Sequence, residues 1–354
     1  MSRFMSSKYA ALKPYVPGEQ PRDRRYIKLN TNESPFPPSP LAQKYAAQEA
    51  GQLELYSDPW CTALTEKASK MLGIEKEEIL FTNGSDDALN FAFMAFCDGQ
   101  TPAIFPDITY GFYKVFAELG SIPYQEIPLK EDFTIDIADY CNTPGTVFIA
   151  NPNAPTGLCL SLDQIETIVK SNPDRVVVID EAYIDFGGET AVPLIHKYDN
   201  LIVIQTFSKS RSMAGGRLGF VVGCKALIGD LNALKFSTNP FNVNRMTMGA
   251  GLGSLEDEDY FRSCVQRVKD CRQWTRAQLD ALGMTTIDSD TNFVFTKHPG
   301  VPGKVFYTKL REKGILIRHF DTPRLTDYIR VTIGDEQQMA AFITAVKEIL
   351  EETL

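Results

Sequence analysis

Hydrophobic and polar positions follow two different periods along this chain. Short, largely β-branched or aromatic runs bounded by glycine, proline or asparagine recur at 79–82, 102–105, 122–127, 147–150, 176–179, 201–205 and 218–223. Their nearly unbroken apolar character reads as strands buried on both faces. Between them, 62–71, 85–97, 111–119 and 162–169 carry apolar residues at three- and four-residue spacing, the pattern of helices with one buried face. Strands alternating with helices predict an α/β fold with a mainly parallel sheet sandwiched by helices, and 218–223 is expected to close that sheet. Beyond it the pattern changes. A long helical stretch carries Phe261, Cys264, Val268, Cys271 and Trp274 as a core stripe. Strands at 292–295, 315–317 and 328–332 and a closing helix from about 336 then predict a smaller α+β unit. The expected division is an N-terminal arm over 1–26 joining the small unit, a large domain over 27–245 and a small C-terminal domain over 246–354.

Composition narrows the classes of function. A net charge of -9 argues against non-specific binding to nucleic acid or anionic membranes, both of which need clustered positive potential. Seven cysteines, at 61, 97, 141, 159, 224, 264 and 271, contain no C-x-x-C pair and fit free thiols in a reducing compartment. His196, His298 and His319 offer no metal spacing. With no apolar run long enough for a membrane span and no signal-peptide pattern, a cytoplasmic protein is expected.

Candidate chemistry gathers where the predicted strands end. In Gln205-Thr-Phe-Ser-Lys209-Ser-Arg-Ser-Met-Ala-Gly-Gly-Arg217 an apolar run delivers a Ser-Lys pair, followed by a second cation beside two glycines. A lysine at the end of a rigid strand suits a Schiff base with an aldehyde cofactor. The hydroxyls of Thr206 and Ser208 and the guanidinium of Arg217 can grip a phosphate that Gly215 and Gly216 would let approach closely. Taken alone, the segment is equally a surface lysine and arginine on a glycine-containing loop. Ser85, at the strand-to-helix turn Asn83-Gly-Ser-Asp86, is a second phosphate candidate at a helix N-terminus, or simply part of a cap. Asp180, directly after a buried strand, can pair with a pyridine N–H, with Tyr183 three residues on to meet a ring hydroxyl. Its plainer role is a turn cap. The loop Asn151-Pro-Asn-Ala-Pro-Thr-Gly157 brings amide side chains to the same rim. Arg318 and Arg330 abut C-terminal strands. An arginine inside Tyr-Ile-Arg-Val-Thr is costly to bury unless an anion meets it, although an edge strand facing solvent would also carry one.

The segments Leu29-Asn-Thr-Asn-Glu-Ser-Pro-Phe-Pro-Pro-Ser-Pro40, Tyr56-Ser-Asp-Pro59, Asn83-Gly-Ser-Asp86, Asp180-Glu-Ala-Tyr183, Ser208-Lys209 with Arg217, and Arg318 to Leu325 with Tyr328 to Gly334 occur in one order along the chain. In this it resembles the fold type I, class II pyridoxal-phosphate aminotransferases, and within them the histidinol-phosphate aminotransferases. The resemblance implies pyridoxal 5'-phosphate held by Lys209, with Asp180 and Tyr183 at the ring, Tyr110 stacked on it, and Ser85, Asp86, Ser208 and Arg217 at its phosphate. It implies a homodimer in which Tyr56 reaches the partner's cofactor. Tyr15, Asn32, Arg318 and Arg330 would meet substrate. The implied reaction moves an amino group from histidinol phosphate to 2-oxoglutarate, with small amines and 2-oxo acids as the partners. A threonine-phosphate decarboxylase, a broad aromatic aminotransferase and a cofactor-binding regulator are the alternatives. One position departs from the pattern. The family usually has asparagine immediately before Pro-Thr-Gly, and here that residue is Ala154, with the adjacent Asn153 as the stand-in.

Overall fold

Thirteen strands and ten α-helices organise the computed structural model, which describes residues 2–9, 12, 14–15 and 17–354; the expected N-terminal arm falls partly outside that set. The strands are β1 (Ile27–Lys28), β2 (Ile79–Thr82), β3 (Ala103–Pro106), β4 (Tyr124–Ile127), β5 (Thr146–Ala150), β6 (Val177–Asp180), β7 (Leu201–Thr206), β8 (Gly219–Gly223), β9 (Thr285–Thr286), β10 (Phe293–Lys297), β11 (Ile315–Leu316), β12 (Arg318–His319) and β13 (Tyr328–Thr332). The helices are α1 (Pro40–Ala50), α2 (Thr62–Leu72), α3 (Ser85–Phe96), α4 (Phe112–Gly120), α5 (Leu162–Ser171), α6 (Lys225–Thr238), α7 (Arg245–Glu256), α8 (Glu258–Ala281), α9 (Gly303–Glu312) and α10 (Glu336–Thr353).

Strands β2 to β8 form one seven-stranded sheet in the order β2-β8-β7-β6-β5-β3-β4. Its strands are buried on both faces, and alternate residues point into different helical layers. Val147, Ile149, Val177, Ile179, Leu201 and Val203 enter one core, whereas Phe148, Val178, Ile202 and Ile204 enter the other. The sheet is parallel except for β8, which runs antiparallel to both β2 and β7. Residues 218–223 are, as expected, the last strand that the chain adds to this sheet, but they insert between its first strand and the rest. This reversed strand starts at the rim where β2 and β7 end, pairing Gly219 with both Thr82 and Thr206.

The C-terminal part packs α8, α9 and α10 against a four-stranded sheet, β12-β13-β10-β9, around a separate core that includes Phe293, Phe306, Ile329, Phe342 and Val346. Strand β1 joins this side of the molecule by pairing in parallel with β11, and Leu29 enters the same core. The segment before β1 lies there too: Arg24 donates to the carbonyls of Arg311 and Glu312, and Glu19 meets Arg311 at 3.0 Å. Trp274 departs from its expected core role. On α8, Cys264, Val268 and Cys271 are buried, but Trp274 is 42% exposed because its position turns away from the stripe.

Helix ends are set locally. Ser39 caps α1 ahead of Pro40, and reciprocal side-chain caps open α5 (Ser161 with Gln164) and α10 (Asp335 with Gln338). Helices α1 and α7 cross closely at glycine: a Cβ at Gly253 would fall 2.4 Å from the Leu41 carbonyl oxygen, and one at Gly249 2.8 Å from that of Tyr45.

Candidate active site

Two adjoining cavities open at the carboxyl ends of the parallel strands, where ligands of such sheets bind. The smaller, of about 100 Å³, is lined by Ser85, Asp86, Tyr110, Asp180, Tyr183, Thr206, Ser208, Lys209 and Arg217, together with Ala154. The larger, of about 670 Å³, is lined by Tyr15, Asn32, Arg318 and Arg330 among others, and shares Tyr110, Ala154, Tyr183 and Lys209 with the first. Of the residues expected from sequence, two line neither cavity of this chain. Tyr56 is 81% exposed and stacked on Phe241 at 4.7 Å, and it lines neither cavity. Asn153 is buried inside its own loop. Its amide donates to the Ile108 carbonyl and Thr156 Oγ1 (both 3.0 Å), and its Oδ1 accepts from Thr109 Oγ1 at 2.8 Å. The stand-in role for Asn153 therefore fails: its amide is spent on those bonds, and the loop presents Pro152, Ala154 and Pro155 to the cavities instead.

One end of the smaller cavity is cationic and rich in N–H groups. Helix α3 begins at Ser85, so its first amides lack helical partners and carry the positive end of the helix dipole. Arg217 lies beside it, in a left-handed conformation with φ 52°, and its Nη2 donates to Asp86 Oδ2 at 2.9 Å. Glycine is required here, but not at the expected positions. A Cβ on Gly84, whose φ is 83°, would sit 2.6 Å from Arg217 Nη2, and one on Gly219 2.6 Å from the Ser85 nitrogen. Gly215 has open space around it. The close approach is thus between the α3 entry and the start of β8, which sequence spacing does not reveal. Thr206 Oγ1 and Ser208 Oγ are 3.0 Å apart at the same end.

At the other end, Asp180 is buried. Its Oδ2 accepts from the hydroxyl of Tyr113 at 3.0 Å, while among the described residues Oδ1 has no hydrogen-bond partner. Burial lifts this carboxyl to about 6, against the opposing effect of the Tyr113 hydrogen bond. Tyr113 was missed from sequence. Its only signal is a three-residue spacing from Tyr110, which puts one phenol just before α4 and the other on its first turn, and the Tyr110 hydroxyl donates to Asp86 Oδ1 at 2.7 Å. Burial raises the Tyr110 hydroxyl well above its ordinary value, with Asp86 adding to the shift.

Lys209 stands where the cavities meet. Its Nζ is 5.7 Å from the Tyr183 ring centroid and 3.4 Å from the Thr31 carbonyl oxygen. The Tyr183 hydroxyl accepts from Asn32 Nδ2 at 2.8 Å. In the larger cavity Arg318 and Arg330 are cross-strand partners on β12 and β13, and among the described residues neither makes an ion pair. Among the described residues Arg330 Nε has no partner, and burial pulls this guanidinium below its ordinary value, although its exposed surface faces the cavity. Arg324, also missed, lines the same cavity and pairs with Asp107 at 3.3 Å. An amine, a carboxylate without a hydrogen-bond partner on one oxygen, an anion cradle and two unpaired arginines can together hold an aldehyde cofactor and an anionic substrate.

Comparison with known proteins agrees with this chemistry. The family model for aminotransferase class I and II matches residues 24–346. The histidinol-phosphate aminotransferase of Brachyspira hyodysenteriae is 46% identical over 353 residues, covering 99% of this chain and 100% of that protein. Histidinol-phosphate aminotransferase 2 of Dechloromonas aromatica is 45% identical, covering 99% of each. The crystal structure of histidinol-phosphate aminotransferase from Sinorhizobium meliloti, in complex with pyridoxal-5'-phosphate, superposes with a TM-score of 0.90 at 23% identity over 100% of this chain and 99% of that one.

Proposed function

The chain belongs to the class I and II aminotransferases, and from that premise we propose that it moves the amino group of L-histidinol phosphate to 2-oxoglutarate, giving imidazole acetol phosphate and glutamate. The observation that carries the substrate assignment is the pair Arg318 and Arg330: two cavity arginines without a carboxylate partner suit a phosphate or carboxylate held bidentately.

Pyridoxal 5'-phosphate fits the residues present. The unpartnered Oδ1 of Asp180 offers an acceptor for a pyridinium N–H, and the α3 amides, Ser85, Thr206, Ser208 and Arg217 suit its phosphate. When bound, this cofactor supplies an electron sink for the carbanion character that develops at the substrate carbon. Asp180 would keep the ring nitrogen protonated, and Tyr113 holds Asp180 by its second oxygen. Lys209 Nζ, lining both cavities, would hold the cofactor aldehyde, and as a free amine it would be placed to take the proton from the amine-bearing carbon of the substrate and return it on the cofactor side. Tyr110, lining both cavities, would cover the ring, and Tyr15, exposed and tilted against Phe112 at 4.3 Å, would border the substrate side.

A homodimer is part of the proposal. Leu53, Leu55, Tyr56, Trp60, Phe236 and Phe241 are exposed in one region, joined by the Tyr56–Phe241 stack and the Trp60–Phe236 contact at 4.6 Å, and such a patch suits a partner. Tyr56 would then serve the partner's cofactor. Among the described residues no helix is long and apolar enough to cross a membrane, and the free cysteines suit the cytoplasm.

The test is visible absorbance of the cofactor-loaded protein titrated with histidinol phosphate, with tyrosine and threonine phosphate as comparators. Loss of the lysine-bound band at low histidinol phosphate and its return with 2-oxoglutarate is the expected result. A band that persists with histidinol phosphate but converts with a comparator overturns the substrate, and carbon dioxide release from threonine phosphate would indicate a decarboxylase.

A further inference from the structure

Asn32, expected to touch substrate, has its side chain committed elsewhere. Its Oδ1 accepts from Thr332 Oγ1 at 3.1 Å, its backbone nitrogen donates to the same hydroxyl at 2.9 Å, and its carbonyl accepts from Asn292 Nδ2 at 3.0 Å. Its Nδ2 donates to the Tyr183 hydroxyl. The residue is 1% exposed and held at φ 55°, a left-handed conformation that few residues other than glycine adopt, so three elements combine to hold one amide in one place. Because the Tyr183 oxygen is occupied as an acceptor, its own proton is left to be donated, and the ring borders both cavities. Ala154, where the resemblance places an asparagine, lines both cavities and offers only a methyl group.

We propose that Thr332 and Asn32 are positioning residues that aim the Tyr183 hydroxyl as the main side-chain donor to the cofactor's ring oxygen, replacing in function the amide absent at Ala154. The inference rests on the pyridoxal-phosphate reading above. A hydrogen bond donated to that oxygen competes with the proton of the lysine–cofactor imine, so a well-aimed hydroxyl lowers the pH at which the imine loses its proton. The charged and titratable groups facing Tyr183 are Lys209, Arg330 and Tyr113, with Asp180 three residues before it; none is altered in the test. Strand β13 also carries Arg330, two residues before Thr332, so the element that meets the substrate anion also sets the Tyr183 donor.

The test is a pH titration of the visible band in the cofactor-loaded protein. Asn32→Gly removes the amide while tolerating the left-handed backbone, and Thr332→Val removes the hydroxyl that orients it. Each is expected to raise the midpoint by about half to one pH unit, the worth of one hydrogen bond. Thr332→Ser is expected to restore it. In a Tyr183→Phe background, Asn32→Gly is expected to add no further shift. A lowered melting temperature with an unmoved midpoint, or shifts that add fully in the double variant, would overturn the proposal, leaving Asn32 structural. If the unaltered protein shows no visible band after loading, the cofactor reading falls and the inference falls with it.

Discussion

Replacing Arg330 with methionine is expected to separate substrate recognition from stability. In the resting protein the guanidinium has one carbonyl partner, Asn30 at 3.2 Å, and lies 5.3 Å from the Phe293 ring centroid and 5.7 Å from that of Phe320. Among the described residues it meets no carboxylate and its Nε has no partner, and burial already disfavours its charged form. A substrate anion would add two charge-assisted hydrogen bonds of about 1.5–3 kcal/mol each. Losing both removes about 3–6 kcal/mol, and at about 1.4 kcal/mol per tenfold this predicts a fall in kcat/KM of roughly 10²–10⁴. Arg330→Lys, which keeps the charge but loses the planar fork, is expected to fall between. Stability is expected not to decrease, because methionine has similar bulk and leaves no desolvated cation behind. The assays are steady-state kinetics with histidinol phosphate and thermal unfolding of the cofactor-free protein. A kcat/KM within about threefold of the unaltered enzyme would refute the anion assignment. A melting temperature lowered by several degrees would show that the arginine holds the fold instead.

Other outcomes follow from the same geometry. Lys209→Ala is expected to lower turnover at least a hundred- to ten-thousand-fold, as for loss of a positioned base; undiminished turnover would remove Lys209 from the mechanism. Burial raises Asp180 to about 6 from its ordinary 3.8, so its contribution to stability is full below pH 4 and is lost as pH rises through 6. Cofactor-free Asp180→Asn should therefore be more stable than the parent at pH 8, by up to about 3 kcal/mol, with the difference vanishing near pH 4 in urea titrations. Glu181, raised to about 7 by burial, is present in both proteins and cancels. Gly253→Ala is expected to destabilise despite a helix-propensity gain of about 1 kcal/mol, since overpacking against Leu41 costs about 1–3 kcal/mol. Gly229→Ala, on α6 with nothing within 4 Å, is the control and is expected to gain stability.

Much of the rim was readable because it rests on strands whose apolar runs are unbroken. Val177 to Ile179 and Leu201 to Ile204 are buried on both faces, so the residues that follow them, Asp180 and Lys209, emerge at one edge. The arginine within β13 was readable as an isolated charge in an apolar strand. What escaped depends on contacts between distant segments. The direction of β8 follows from pairing with β2 and β7, which periodicity does not encode. Tyr113 resembles any helix phenol until its hydroxyl meets Asp180. Asn153 and Gly215 carry the expected residue types, but neighbouring backbone decides that one amide turns inward and one glycine has nothing near it. Trp274 sits at helical spacing yet outside the buried stripe, because hydrophobic identity alone does not fix the angle around a helix.

The reversed strand also has a consequence for the order in which the molecule is made. Strand β2 has one neighbour in its sheet, β8, so Ile79 to Thr82 leave the ribosome long before Gly219 to Gly223 exist to pair with them. Until then β2 is an unpaired apolar edge, and the turn after it, which opens α3, lacks the backbone that will lie against Ser85. Pairing over such a separation is slow compared with local helix formation. The anion cradle should thus be among the last features to assemble during synthesis, and capture of cofactor by a nascent chain would report that residue 223 has found its place.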